Sequence, residues 1–392
     1  MPLAWFVLVI SAALILHTIA GYPLLLWMRR SAVLPPVAKD PAFQTTVSVV
    51  MAVHNGEPMI RRKLEVLLGL DYPRDLVNII VVSDGSTDRT EAIVREFEGS
   101  GVTLLIAPRG GKAAALNYGL AAASGDIIFF TDVRQSLEPG CLRHLVANFA
   151  DPTVGAVTGE LRLVRGDTGE QADMDLYWRY EIWARHCQSE IDSLFNTTGC
   201  IYAMRRSLTA PLAPDTLTDD AMLPLRAFFR GYRVIFDPAA IAFDYPAVAG
   251  TEFRRRFRTL AGLWQVYARL PELFTSRNRM RFHFLSHKFG RLMLPWLFLV
   301  FLAATIELPH SWFRTSLLGA GELWLFLAAF DGFVSAESPL RRLTSPARTF
   351  LVMNVAALVA VAVFFVPATR LWSPTRVQAA GTLIEKETGR AG

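Results

Sequence analysis

Gly125-Asp126-Ile127-Ile128-Phe129-Phe130-Thr131-Asp132 is a short apolar run that ends on a carboxylate. Asn78-Ile79-Ile80-Val81-Val82-Ser83-Asp84, followed by Gly85-Ser86, repeats the pattern upstream. Runs of this length, rich in β-branched and aromatic residues, predict buried strands. Between and around them the period changes. Val47–Val53 predicts a strand that stops at His54-Asn55-Gly56, and residues 57–70 carry helical spacing with Leu64, Leu67 and Leu68 on one face. Thr87-Asp88-Arg89-Thr90 predicts a helix start capped by Thr87, with Ala92, Ile93 and Phe97 facing inward. Val102–Ile106 is a further strand and residues 111–123 an alanine-rich helix. Strands alternating with helices predict an α/β fold with a mostly parallel sheet. Such sheets bind ligands outside the carboxyl ends of their strands. Two carboxylates at two strand ends therefore point to a polar ligand, of the kind represented by a metal-bound nucleotide.

The rest of the 392-residue chain is of a different kind. It is 52% hydrophobic and 19% charged, with a mean hydropathy of +0.31, which is more apolar than a soluble enzyme of this size. The excess lies in blocks. Residues 3–28 carry no Asp, Glu, Lys or Arg, and Arg29 and Arg30 follow at once. That length spans a bilayer, and the arginines place the following segment in the cytoplasm and the N-terminus outside. No positive region precedes the run and no small-residue cleavage site follows, which favours an anchor over a signal peptide. Residues 292–313, 315–333 and 349–369 are three more candidate spans. The first two hold Glu307, Glu322 and Asp331, charges that are costly in a bilayer unless they face protein or water. Arg341, Arg342 and Arg348 set the loop between the last two on the cytoplasmic side.

The net charge of +5 and pI near 9.2 are accounted for by arginines flanking apolar runs, so nucleic acid is not an expected partner. Cys141, Cys187 and Cys200 are scattered, with no CxxC or Cys/His cluster, which argues against a disulfide framework or structural zinc. There is no Walker-type loop and no GxSxG.

The expected organisation is an N-terminal transmembrane anchor at 1–30, a proline-containing linker at 31–45 and a catalytic domain at 46–262. An interfacial segment at 263–290, a C-terminal transmembrane region at 291–369 and a tail at 370–392 follow. Residues 151–245 read as less regular. They include a strand at Gly155–Thr158, an aromatic helix around Leu176–Trp183, a helix at Ala221–Phe229 and a late strand at Gly231–Phe236.

Seven motifs run in one order: VSVVMAVHNGE (47–57), VVSDGSTDRT (81–90), GGKAAALNYGL (110–120), FFTDVRQSLEPG (129–140), TGCIYAMRR (198–206), TDDAMLPLRAFFRGYRV (218–234) and RRRFRTLAG (254–262). This series resembles the membrane-bound glycosyltransferases of family 2, the group of cellulose, chitin, hyaluronan and poly-N-acetylglucosamine synthases. The resemblance covers about residues 46–262. It implies a GT-A fold, a mixed and mostly parallel sheet with flanking transmembrane helices. It also implies inverting transfer of a sugar from a nucleotide sugar, UDP-linked by expectation, to a growing polysaccharide or lipid-linked glycan. A multi-pass protein of the cell membrane with a cytoplasmic catalytic domain follows. Transfer of a single sugar to a polyprenyl phosphate, or a non-catalytic membrane scaffold, are the rival readings. Donor sugar, linkage and oligomeric state are not fixed by these motifs.

The resemblance assigns roles residue by residue. Asp84 corresponds to the aspartate that contacts the nucleotide base or ribose, though Asp84-Gly85-Ser86 also fits an Asx turn. Lys112 and Asn117 match the segment over the donor, where a lysine offsets diphosphate charge. Asp132 matches the first acid of DxD, which holds Mg²⁺ or Mn²⁺ against the diphosphate. Arg134 stands where the second acid is expected. Either Asp132 holds the metal alone with the diphosphate, or Arg134 takes over part of the metal's electrostatic role. Asp219 and Asp220 match the Glu-Asp pair whose second member is the general base, with Asp219 on the acceptor side, and either residue also suits a helix N-cap. Arg258 takes the arginine of QxxRW and a contact to the diphosphate. Thr259 occupies the tryptophan position, which weakens the expectation of long-chain processivity. Trp178 is a candidate acceptor platform or a packing residue.

Overall fold

A computed structural model describes residues 2–28, 34–163, 170–244, 252–335 and 338–366. Arg29, Arg30 and the 370–392 tail lie outside these residues. The chain divides into two compact units. One comprises Pro35–Gly166, Asp192–Arg255 and Val366–Gly392, the other Met1–Leu34, Asp167–Ile191 and Arg256–Phe365.

The first unit is built on a sheet. Its strands are β1 (Val47–Val53), β2 (Val77–Asp84), β3 (Val102–Ala107), β4 (Ile127–Phe130), β5 (Ser136–Leu137), β6 (Val154–Leu163), β7 (Tyr202–Arg205) and β8 (Arg233–Asp244). Among the described residues they form one eight-stranded sheet in the order β3-β2-β1-β4-β7-β6-β8-β5. β3, β2, β1 and β4 are mutually parallel, while β7 runs antiparallel to both β4 and β6. The sheet is thus mixed with a parallel half, as the alternating pattern predicts. β1 has β2 on one side and β4 on the other. That reversal of strand order is where open α/β sheets leave a ligand crevice.

The parallel strands are apolar on both faces because helices cover both. Val49, Val50 and Met51 of β1 and Ile128 and Phe129 of β4 are fully buried. The Lys112–Ala122 helix packs on β1 and β2 through Ala113, Ala115, Leu116 and Gly119. Small side chains let it dock closely, and its first residue, Lys112, is thereby set at the carboxyl edge of the sheet.

Three local expectations are corrected. The second helix runs over Thr90–Arg95, not from a Thr87 cap. The Asp88 carboxylate accepts from the Thr90 backbone N–H at 3.0 Å and from the Glu57 N–H at 3.0 Å, while the N-cap falls on Arg89, with no side-chain capping bond. In that helix Ile93 and Val94 are buried while Ala92 is exposed. β7, inside the TGCIYAMRR motif, is a strand that sequence periodicity does not reveal.

The second unit is helical. Among the described residues, Pro2–Met28, Arg281–Ile306, Trp312–Phe333 and Arg341–Phe364 are long and apolar enough to cross a membrane. Large apolar side chains such as Leu3, Phe6, Trp312, Leu325 and Phe333 are exposed on them. Asp331 is buried, accepts from Thr344 Oγ1 at 2.7 Å and pairs with Arg348 at 3.2 Å, which is how that charge is accommodated. Glu307 and Glu322 are exposed. The Glu170–Ile191 helix belongs to this unit. Its Glu181 is paired with Lys288 and Arg291 of the Arg281–Ile306 span.

Candidate active site

The parallel strands deliver their last residues to one edge. At the end of β2, Asp84 is 3% exposed. Its carboxylate accepts from the backbone N–H of Gly110 at 2.7 Å and of Gly111 at 3.0 Å, and from the Arg109 guanidinium. Gly85 has φ +61°, and a Cβ there would lie 2.9 Å from the Arg109 nitrogen, so glycine is what lets the 109–111 turn approach. Asn55 Oδ1 accepts from Thr87 N–H at 2.8 Å, and a His54 ring nitrogen bonds the Asp84 carbonyl at 2.8 Å. The loops after β1 and β2 are therefore stitched together.

Just beyond β4, Asp132 meets the helix that starts after that turn. Lys112 Nζ lies 3.0 Å from Asp132 Oδ1 and 3.2 Å from Asp219 Oδ1. Asp219 and Asp220 open the Asp219–Phe229 helix after an N-cap at Thr218, so both carboxylates sit in its first turn, where the helix dipole favours negative charge. Tyr202 of β7, stacked on Phe130 at 4.5 Å, donates its hydroxyl to Asp219 Oδ2 at 3.4 Å. Lys112 thus touches both Asp132 and Asp219, with Asp220 the next residue.

The electrostatics follow from this packing. Burial works against the charge of Lys112, yet Asp132, Asp219 and Asp220 outweigh it and raise its pKa above the ordinary lysine value. Burial likewise opposes ionisation of Asp132, but Lys112 above all, with Arg134 and Lys63, holds its carboxyl below the usual range. Burial and the three aspartates push the Tyr202 phenol well up. The side chains of Lys112 and Asp132 are each about a third exposed, at 31% and 36%, so this ionic centre is reachable from solvent.

Asn117 and Arg134 have partners of their own. Asn117 makes a two-way bracket with Leu212, donating to its carbonyl and accepting from its N–H, both at 2.8 Å. Arg134 points to Asp244 Oδ2 at 2.6 Å, and Gln135 Nε2 donates to the same oxygen at 3.1 Å. Trp178, half-buried, and Arg258 belong to the helical unit. Sequence reasoning missed Tyr202, Arg109, Asp244 and Lys63. A lysine falling in the Ile60-Leu64-Leu67 buried register was the available signal for the last.

Among the described residues no three His, Cys, Asp or Glu side chains gather as a metal cage. With Arg134 committed to Asp244, the DxD position offers the single carboxylate of Asp132. That fits a hard divalent cation held by one carboxylate and the oxygens of a bound diphosphate, and it does not fit a cation caged by protein alone. A cavity of about 290 Å³ lies at the opposite, amino-terminal edge of the parallel strands, lined by Thr45, Asp126, Arg205 and Arg206. Both arginines there donate to backbone carbonyls.

A mixed sheet whose strand order reverses at β1, with acidic groups at its strand ends, is the GT-A type of glycosyltransferase fold. Residues 48–210 match the family described as Glycosyl transferase family 2. It is 30% identical over 257 residues to a probable glycosyltransferase of Bacillus subtilis, YdaM, covering 61% of this chain and 60% of that protein. It is 29% identical over 201 residues to the beta-monoglucosyldiacylglycerol synthase of Synechocystis sp., covering 48% and 41%. The aligned regions span less than two thirds of either relative. The mannosyltransferase PcManGT of Pyrobaculum calidifontis, solved with GDP-Man and Mn²⁺, superposes with a TM-score of 0.70 at 26% identity, covering 90% of this chain and 99% of that one.

Proposed function

We propose that this protein is an inverting, membrane-embedded glycosyltransferase that moves a sugar from a nucleoside-diphosphate sugar to a glycan or lipid-linked acceptor. The observation that carries the reading is the Lys112 ammonium held between Asp132 and Asp219 at the strand ends, with Asp220 beside them.

On this reading Lys112 faces the donor diphosphate and takes up negative charge that develops there as the glycosidic bond breaks. Asp132 is the residue that would hold Mg²⁺ or Mn²⁺, sharing it with the diphosphate. The cation, when bound, supplies Lewis-acid stabilisation of the leaving phosphate oxygens. Asp220 accepts the proton of the acceptor hydroxyl as that oxygen attacks the anomeric carbon. One C–O bond forms as the other breaks, the electron pair leaves with the nucleoside diphosphate, and an α-linked donor yields a β-linked product. Asp219, bonded to Lys112 and Tyr202, orients the lysine. Arg258 and Trp178 are proposed to serve the diphosphate and the acceptor.

UDP is the expected nucleotide from the motifs, and the GDP-Man bound to PcManGT makes GDP the second arm of the test. Thr259 in the tryptophan position, together with likeness to a synthase named for a monoglucosyl lipid, supports single-sugar transfer to a lipid as the second reading. The apolar helices and flanking arginines support a multi-pass placement in the cell membrane with the sheet unit in the cytoplasm.

The test is transfer from a panel of UDP- and GDP-sugars with Mg²⁺ or Mn²⁺, products read by mass. Asp220→Asn is expected to lower kcat by about 100- to 10,000-fold and to leave donor affinity nearly unchanged. Equal turnover in the variant would remove Asp220 from the base role. A product ladder selects the polymer, and a single addition selects the lipid glycoside.

A further inference from the structure

Lys63 lies on the buried face of the Glu57–Leu68 helix, in register with Ile60, Leu64 and Leu67, and is 2% exposed. An apolar residue would fill that register at lower cost, because burying an ammonium group away from a counter-ion is expensive. Its Nζ meets neutral oxygens, donating to Thr131 Oγ1 at 2.8 Å and to the Gln135 carbonyl at 2.7 Å. Desolvation accordingly draws its pKa down to about 8.

The two oxygens it grips are not arbitrary. Thr131 immediately precedes Asp132, and Gln135 lies three residues after it. Lys63 therefore holds both ends of the turn that displays the strand-end carboxylate. Thr131 Oγ1 accepts from Lys63 and gives its own proton to the Cys200 carbonyl, 2.9 Å away. Cys200 follows Gly199, and a Cβ on Gly199 would stand 3.2 Å from Asp220 Oδ2. One amine is thus joined through one hydroxyl to the turn against which Asp220 rests. On the far side the same 131–135 turn is held by Asp244 through Arg134 and Gln135.

We propose that Lys63 is a positioning residue for sugar transfer, clamping the Asp132 turn to the Gly199–Cys200 turn so that donor carboxylate and base keep their spacing. The proposal rests on the transferase reading above. Lys63 touches no reacting atom. It acts through Thr131 and Gln135, and a small displacement of either turn misaligns the displacement reaction.

The experiment uses the full-length chain in lipid nanodiscs with the sugar nucleotide that the wild type turns over. Lys63→Met keeps length and apolar packing but removes both hydrogen bonds. Thr131→Val keeps shape but removes the relay. Each is expected to lower kcat by about 10- to 100-fold, the scale seen when groups supporting a site are removed. The donor KM is expected to stay within about threefold, which marks loss of alignment rather than of binding. The double variant is expected to be no worse than the poorer single, since both residues act through one chain of bonds. A Lys63→Met enzyme with wild-type kcat overturns the proposal. So does a fall in thermal midpoint with unchanged kcat per folded molecule, or two single effects that multiply. If Lys63→Met does not fold, Thr131→Val decides alone, and its unchanged kcat is equally fatal. A wild type that turns over no sugar nucleotide defeats the transferase reading itself, whereas an active wild type matched by its variants defeats only the role of Lys63.

Discussion

Two strand ends that read alike in sequence are built differently. Asp84 at the end of β2 and Asp132 just past β4 are both carboxylates closing apolar runs, on parallel strands flanking β1. Asp84 is sealed, its oxygens taken by two backbone N–H groups and the Arg109 guanidinium. Asp132 keeps about a third of its side chain in solvent and is balanced by a lysine shared with a second carboxylate. A saturated buried carboxylate organises backbone, whereas a partly exposed one in a charged cluster is poised to exchange partners. The first sets the turn from which Lys112 starts, and the second receives that lysine.

This division predicts unequal consequences for removing each charge. Of the two strand-end carboxylates, Asp132→Asn is expected to have the larger effect on transfer, a fall in kcat/KM of about 100- to 1,000-fold, the range for deleting one preorganised electrostatic contact. Thermal stability should fall modestly, because the ion pair with Lys112 is lost but the side chain is partly solvated and its charge screened. Turnover within about threefold of wild type, measured at saturating Mn²⁺, would equate Asp132 with Asp84 and end the comparison.

Lys112→Met comes next, with an expected loss of about 10- to 100-fold and a shift in pH dependence. Lys112 is the foremost charge holding the Asp132 carboxyl below its ordinary value against burial. Without it only Arg134 and Lys63 oppose burial, the carboxyl binds its proton at higher pH, and the acid limb of the kcat/KM profile moves up. The stability signs are opposite for the two partners. Asp132, with a depressed pKa, stabilises the fold above its unfolded value near 3.9 and loses this as pH falls through the folded value. Lys112, with a raised pKa, stabilises below its unfolded value near 10.4 and loses this as pH rises through the folded one. Urea titrations of wild type and variant should differ most between about pH 5 and 9, where both groups are ionised.

The frame of the sheet was readable because its parallel strands are short apolar runs between helical periods, and β1, β2 and β4 need no partner to be recognised. β7 was not, since Tyr202–Arg205 is four residues long and gains its identity by lying between β4 and β6. The acids at the site were visible as a series of motifs, and two of them, Asp132 and Asp219, meet on Lys112. Their supports were hidden. Arg134 reaches Asp244 across 110 positions of sequence, a pairing that exists only once β5 lies on β8. Lys63 was legible in principle, as a charge in an apolar register, yet what it holds was not. Asn117 marks the converse: a motif position whose side chain is occupied with the Leu212 backbone.

The smallest catalytic effect, and the sharpest test of the division, belongs to Asp84→Ala. A residue that only reads the nucleotide would raise donor KM and leave stability alone. The geometry gives Asp84 a different role, because without its carboxylate the N–H groups of Gly110 and Gly111 lose their acceptor. An unpaired buried donor costs about 1–3 kcal/mol, so the midpoint of urea unfolding should fall accordingly. Lys112 then starts from a looser turn, and kcat is expected to drop by less than about tenfold. Restoring an acceptor with Asp84→Asn should recover part of the stability, because the amide oxygen can still take one of the two N–H bonds. A variant with unchanged unfolding midpoint and a donor KM raised more than about tenfold would move Asp84 from the turn to the nucleotide, and with it the boundary drawn between the two strand ends.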